Sequence, residues 1–212
     1  MKKLSVTALA IAAVLSMTAC KGHHKKVIVY AGSSIQVDNT KTNITVGEGG
    51  PLQQKELDFS GSEPVTLNIQ TASGKISLDA TDDGLYITSL KSETVIGSYQ
   101  RIGTEAGETR ITHDMPKQKF DSVSKLVRGE NVSEANRNFL ILPFHIQKVS
   151  ANADAKVFGP YTTIPSAFDA SSVPEIYKFY SIKELREVLS KMSIMMGVSP
   201  APASAPAADT KK

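Results

Sequence analysis

Val65-Thr66-Leu67-Asn68-Ile69-Gln70-Thr71-Ala72-Ser73-Gly74-Lys75-Ile76-Ser77-Leu78-Asp79-Ala80 is the stretch that decides the fold. Val65, Leu67 and Ile69 alternate with Thr66, Asn68 and Gln70, and Ile76, Leu78 and Ala80 alternate with Ser77 and Asp79. Side chains of a strand point alternately to its two faces, so this period predicts two strands that each bury one face. Thr71-Ala72-Ser73-Gly74 between them suits a hairpin loop, with glycine at the turn's end. Outward from the hairpin, Val27 to Tyr30 is a short apolar run, and Leu57 and Phe59 alternate with Glu56 and Asp58. Asp82-Asp83-Gly84 marks a turn, followed by strands at Leu85-Tyr86-Ile87 and Val95 to Tyr99. The expectation for 27–101 is an antiparallel β meander, closed as a small sandwich or curled sheet.

From residue 102 the pattern changes, and 102–196 is expected to be mixed. Phe120, Val123, Leu126 and Val127 recur at helical spacing between Pro116 and Gly129. Phe139-Leu140-Ile141-Leu142, stopped by Pro143, suits a buried strand, and Val157-Phe158 a further short one. Ser181-x-x-Glu184 is a capping box, followed by Ile182, Leu185, Val188, Leu189 and Met192 on one helical face. This places a helix at 181–196, ended by Gly197. The whole predicts one α+β domain over 27–196, β-rich first, with two helices and short strands after. Residues 197–212, rich in Ala and Pro without periodicity, bury too little to offset ordering entropy and are expected to be disordered.

The N-terminus has a different character. Met1-Lys2-Lys3 leads into an apolar run from Leu4 to Met17, then Thr18-Ala19 and Cys20, the one cysteine of the chain. The run has the length of a signal-peptide core and is short for a membrane-spanning helix. The segment resembles the signal of bacterial lipoproteins, with Met17 standing where that family commonly has Leu. An ordinary secretory signal would want small residues at alternating positions, which Met17-Thr18-Ala19 does not supply.

The resemblance implies removal of residues 1–19 and lipid attachment at Cys20, hence an exported protein held on the cell membrane by acyl chains. Each buried methylene contributes about 0.8 kcal/mol, and two or more chains hold a protein stably. Lys21 is not the aspartate that retains many such proteins at the inner membrane, so the outer membrane of a diderm bacterium is the expected location. Residues 20–26 are expected to form a short basic tether in which Lys25 and Lys26 favour an anionic surface. His23-His24 lack the further ligands of a closed metal site.

Composition narrows function by exclusion. A formal net charge of +3 from 24 basic and 21 acidic residues, scattered along the chain, does not suggest a nucleic-acid partner. There is no G-x-S-x-G elbow, and Ser122-Val123-Ser124-Lys125 matches S-x-x-K without its partner motifs K-T-G and S-D-N. His113 and His145 lie outside any metal-ligand spacing, so neither a metal nor a cofactor is expected. Asn43-Ile44-Thr45 and Asn131-Val132-Ser133 match glycosylation acceptors that matter little in a bacterium.

Two readings remain. The first is a non-enzymatic binding or scaffold module for an envelope protein or glycan. In it Tyr161, Tyr177, Phe179 and Tyr180 serve either as a binding face or as the seal between the last helix and the sheet. The second is an envelope hydrolase in which Asp82 or Asp83 works with Glu105 as an acid–base pair.

Overall fold

The structure, a computed structural model, describes residues 22–100, 115–160, 162, 164–165, 173 and 175–197. The expected signal at 1–19, Cys20, Lys21 and the expected tail beyond Gly197 lie outside them. The first half carries β1 (His24–Ala31), β2 (Ile35–Val37), β3 (Asn43–Val46), β4 (Gln53–Ser60), β5 (Val65–Thr71), β6 (Gly74–Ala80), β7 (Gly84–Ser89) and β8 (Val95–Tyr99). The second half carries α1 (Met115–Val127), β9 (Asn138–Ile141), β10 (Ile146–Ser150), β11 (Lys156–Phe158), β12 (Ile176–Ser181) and α2 (Ile182–Met195). The chain is thus α+β with a β-rich N-terminal half.

The strands form three four-stranded sheets, β10-β7-β1-β4, β2-β3-β5-β6 and β11-β12-β8-β9. The first lies between the other two. Val27, Val29 and Ala31 of β1, with Leu57 and Tyr86, pack on Ile44, Val46, Leu67 and Ile69 of the first outer sheet. Ile28 and Tyr30, with Leu85 and Ile87, pack on Val95, Phe139, Ile141, Tyr177 and Phe179 of the second. A strand covered on both faces needs apolar residues at every position, which is why Val27 to Ala31 is a run and not an alternation. Every residue of β7 is likewise buried.

The predicted hairpin is present and antiparallel, with a tighter turn than expected because Thr71 pairs with Gly74. Pairing elsewhere departs from a simple meander. β1 runs parallel to β7, β3 parallel to β5, and β11 parallel to β12. Parallel neighbours need a crossover, and here the chain leaves the central sheet, builds an outer one and returns. Phe139 to Leu142 also differs from the expected buried run: β9 alternates, with Phe139 and Ile141 inward and Leu142 exposed at 45%.

The expected tether is corrected as well. Order begins before residue 27, because His24, Lys25 and Lys26 already pair with β4 in register with Ser60, Phe59 and Asp58. Lys25 is buried, its Nζ donating to the Gly61 carbonyl at 2.9 Å and lying 3.6 Å from Asp83 Oδ1. A lysine stem packs as hydrocarbon when its amine reaches polar groups at the end.

Helix α2 begins as its sequence signals. Glu184 N–H donates to Ser181 Oγ at 3.0 Å and Ser181 N–H to Glu184 Oε2 at 2.9 Å. Gly129 and Gly197 take φ of 75° and 67° just after the helices, the left-handed turn that glycine adopts without strain. Of the expected apolar face of α2, Leu185 is buried while Val188 is 38% exposed. Among the described residues no helix is long and apolar enough to cross a membrane.

Candidate functional site

Strand β12 shows how the fold sorts the aromatic cluster. Its alternation sends Tyr177 and Phe179 inward to the central sheet. Lys178 and Tyr180 fall on the opposite face. Phe179 lies flat against Gly97 of β8, where any Cβ would collide with its ring. Lys178 Nζ donates to the Phe179 carbonyl at 2.7 Å and sits 4.1 Å from the Tyr180 ring centre. Burial pulls the Lys178 ammonium below its usual range. Tyr161 lies outside the described residues. The remaining rings are therefore core on one side, and the hydroxyl of Tyr177 reaches a polar site.

That site is a cleft of about 570 Å³ lined by Asp82, Glu134, Arg137, Phe139, Lys148, Ser150, Glu175 and Tyr177, among others. It lies where β7 starts and β10 ends, beside the first edges of β9 and β12. Arg137 is its most constrained residue. Its backbone sits at φ 53°, a left-handed conformation that non-glycine residues hold only where the surroundings impose it. The Arg137 N–H donates to the Glu134 carbonyl at 2.9 Å, and its carbonyl accepts from Tyr99 N–H at 3.1 Å. Its guanidinium lies over the Tyr99 ring at 3.6 Å and 5.6 Å from that of Tyr177. Tyr177 meets Tyr99 and Phe139 edge-on at 5.8 and 5.9 Å. This aromatic box fixes the plane of the guanidinium, a cation–π arrangement that excludes water from one face.

Glu175 is the acceptor at the centre. Arg137 Nη2 approaches Glu175 Oε1 at 2.5 Å and donates to Tyr177 Oη at 3.0 Å. Tyr177 Oη–H donates to Glu175 Oε2 at 3.1 Å, and the Ser150 hydroxyl donates to the same oxygen. Burial and the Glu175 charge raise the Tyr177 phenol above its ordinary range against the opposing pull of Arg137. Burial alone would lower the Arg137 guanidinium, but Tyr177 and Glu175 outweigh it and hold it more firmly charged. On the rim, Lys148 Nζ stands 4.0 Å from Asp82 Oδ2.

The residues singled out in the sequence fare unequally. Asp82 reaches the cleft, while Asp83 turns to His23 Nδ1 at 2.6 Å and to Lys25. The His23 bond holds the Asp83 carboxyl below its usual range. Glu105 and His113 lie outside the described residues, and so does the expected pairing of Asp82 or Asp83 with Glu105. His145 Nδ1–H donates to the Pro143 carbonyl at 2.8 Å and belongs to a turn. Ser122 and Lys125 are exposed on α1. Among the described residues no three His, Cys, Asp or Glu side chains gather as a metal site. Arg137, Ser150 and Glu175 carried no local signal, because each is an ordinary polar residue until the fold joins three distant segments.

Compared with known protein families, curated proteins and solved structures, the chain matches none.

Proposed function

We propose that the chain is an exported lipoprotein of the bacterial cell envelope, anchored through Cys20 to the outer membrane, that binds an envelope protein or glycan without catalysing a reaction. The observation that carries the binding reading is the cleft itself. Phe139 and Tyr177 border it, its guanidinium is stacked on the Tyr99 ring, and its polar groups converge from four segments of chain. Such a concave site with few placed polar groups suits a small ligand or a glycan end better than a flat protein partner. Support for the anchor comes from the sequence of residues 1–20.

The test is fractionation of cells carrying the natural chain or Cys20→Ala, with protease digestion before and after the envelope is opened. Membrane attachment that disappears in Cys20→Ala supports the anchor. Unchanged attachment sinks it.

A second reading, an envelope hydrolase using carboxylates, is favoured by Asp82, Glu134 and Glu175 lining one cleft. Glu175 is a poor candidate within it, since its oxygens are already taken by Arg137, Ser150 and Tyr177. Among the described residues the remaining pair of cleft carboxylates is Asp82 and Glu134. Turnover of an envelope glycan or peptide that is abolished by Asp82→Asn and Glu134→Gln would establish this reading in place of the first.

A further inference from the structure

We propose that the cleft receives the zwitterionic headgroup of a membrane phospholipid, a phosphate esterified to an aminoalcohol; this rests on the reading that Cys20 carries the anchor. Two independent observations lead there, one of charge and one of position.

Arg137 and Glu175 compensate each other's charge, but the groups with hydrogen-bonding capacity left after internal pairing are of both signs. Glu175 is spent on Arg137, Ser150 and Tyr177. Among the described residues Arg137 engages protein acceptors through Nη2, which leaves Nε and Nη1 as donors in a fixed plane. Lys148 meets Asp82 only at 4.0 Å, beyond hydrogen-bond range. The Glu134 carboxylate has no hydrogen bond among the described residues, and Asp82 accepts only a long one, 3.4 Å, from Thr81. Arg137 and Lys148 suit a phosphate, for which a planar guanidinium is the best side-chain donor. Asp82 and Glu134 suit an ammonium. The exposed Asp82 and Glu134 carboxylates disfavour a simple anion beside them, and Lys148 disfavours a simple cation. A ligand carrying both charges satisfies all four.

Position then selects the source. Asp82, on the rim, is followed by Asp83, which holds His23 at 2.6 Å. Cys20 precedes His23 by three residues, a reach of at most about 11 Å when fully extended. Ser150 belongs to the same end, paired with Leu85 at the start of β7. The cleft therefore lies at the end of the body where the chain would enter from the bilayer.

The experiment titrates the full-length chain in nonionic detergent with dihexanoyl phosphatidylethanolamine, dihexanoyl phosphatidylglycerol and free phosphoethanolamine, followed by calorimetry. The ethanolamine lipid is expected to bind saturably, roughly tenfold more tightly than the glycerol lipid, which lacks the ammonium. Lys148→Gln and Glu134→Gln, both near the surface, are each expected to weaken it by about tenfold. Arg137→Gln should weaken it further, but the other two variants keep the test valid if that one does not fold.

Equal binding of the two lipids, or variants that bind like the natural chain, would overturn the proposal. Free phosphoethanolamine binding as tightly as the lipid would also overturn it, by making the ligand a soluble compound. Fractionation of Cys20→Ala fails or succeeds separately, so loss of the anchor reading is not mistaken for loss of the headgroup site.

Discussion

The two faces of the central sheet come from the same strands but are built differently. Toward the first outer sheet β1 presents Val27, Val29 and Ala31, against Ile44, Leu67 and Ile69. Toward the second it presents Ile28 and Tyr30, against Phe139, Tyr177 and Phe179. Branched aliphatics interdigitate and close an interface completely. Aromatic rings bury as much area per residue but carry polar tips that must find partners. The second interface therefore can border a polar cleft at its end, where the Tyr177 hydroxyl joins Arg137 and Glu175. The first interface has one such ring, Tyr86, and its hydroxyl is closed off by the Asp82 backbone.

The largest expected effect tests whether both faces belong to one cooperative core. Phe179→Ala should cost about 3–5 kcal/mol and Leu67→Ala about 2–5 kcal/mol, from lost burial plus the cavity left behind. Urea denaturation measures both. A cost below about 1 kcal/mol for either would mean that its face is not part of the cooperative core.

A smaller effect isolates the polar end of the aromatic face. Arg137→Gln removes the cation opposite Glu175 and should cost about 1–3 kcal/mol, toward the low side because the Arg137 side chain is 34% exposed and partly screened. Adding Glu175→Gln should recover part of the loss. If the two costs simply add, the pair is not coupled and the account of the site is wrong.

Smaller again is a gain. The Tyr30 hydroxyl is buried in the aromatic face with no hydrogen-bond partner among the described residues, and burial together with the nearby Glu56 drives its phenol far above the ordinary range. Tyr30→Phe should raise stability by about 1 kcal/mol, since it removes an unpaired polar atom and keeps the ring. Destabilisation would mean that the hydroxyl has a partner, such as an ordered water.

The smallest effect lies away from both faces. Asp38, between β2 and β3, accepts from the Thr40 hydroxyl, the Asn43 side-chain amide and the Asn43 and Thr42 N–H groups. These bonds hold its carboxyl at about 2, below the ordinary 3.8. With the folded value depressed, the unfolded chain binds more protons between those values, so stability rises with pH across that window. The contribution is present above about pH 4 and is lost as pH falls through about 2. Asp38→Asn should flatten that part of a denaturation-midpoint curve taken from pH 5 to 2 and leave the rest unchanged.

Much of the local structure is legible in the chain. The β5–β6 hairpin declares itself by strict alternation, and α2 by its capping box. The strands β2, β3 and β10 do not, because three to five residues hold too few repeats for a period to emerge. The cleft is legible only at Asp82 and Tyr177. Glu175 and Arg137 become partners through the β12–β8–β9 order, which no local pattern encodes.

Alternation records which side of a strand meets water, a property of each residue and its near neighbours. For that reason the sequence by itself determined the α+β class, the strand faces and the caps of α2. Which strands pair, and whether they run parallel or antiparallel, depends on contacts between residues far apart in the chain. The tertiary structure alone decided that β1 lies between two sheets, that Lys25 is buried in it, and that Arg137, Ser150 and Glu175 meet. Long-range pairing is selected by the packing of whole faces, and that selection is made only when the chain has folded.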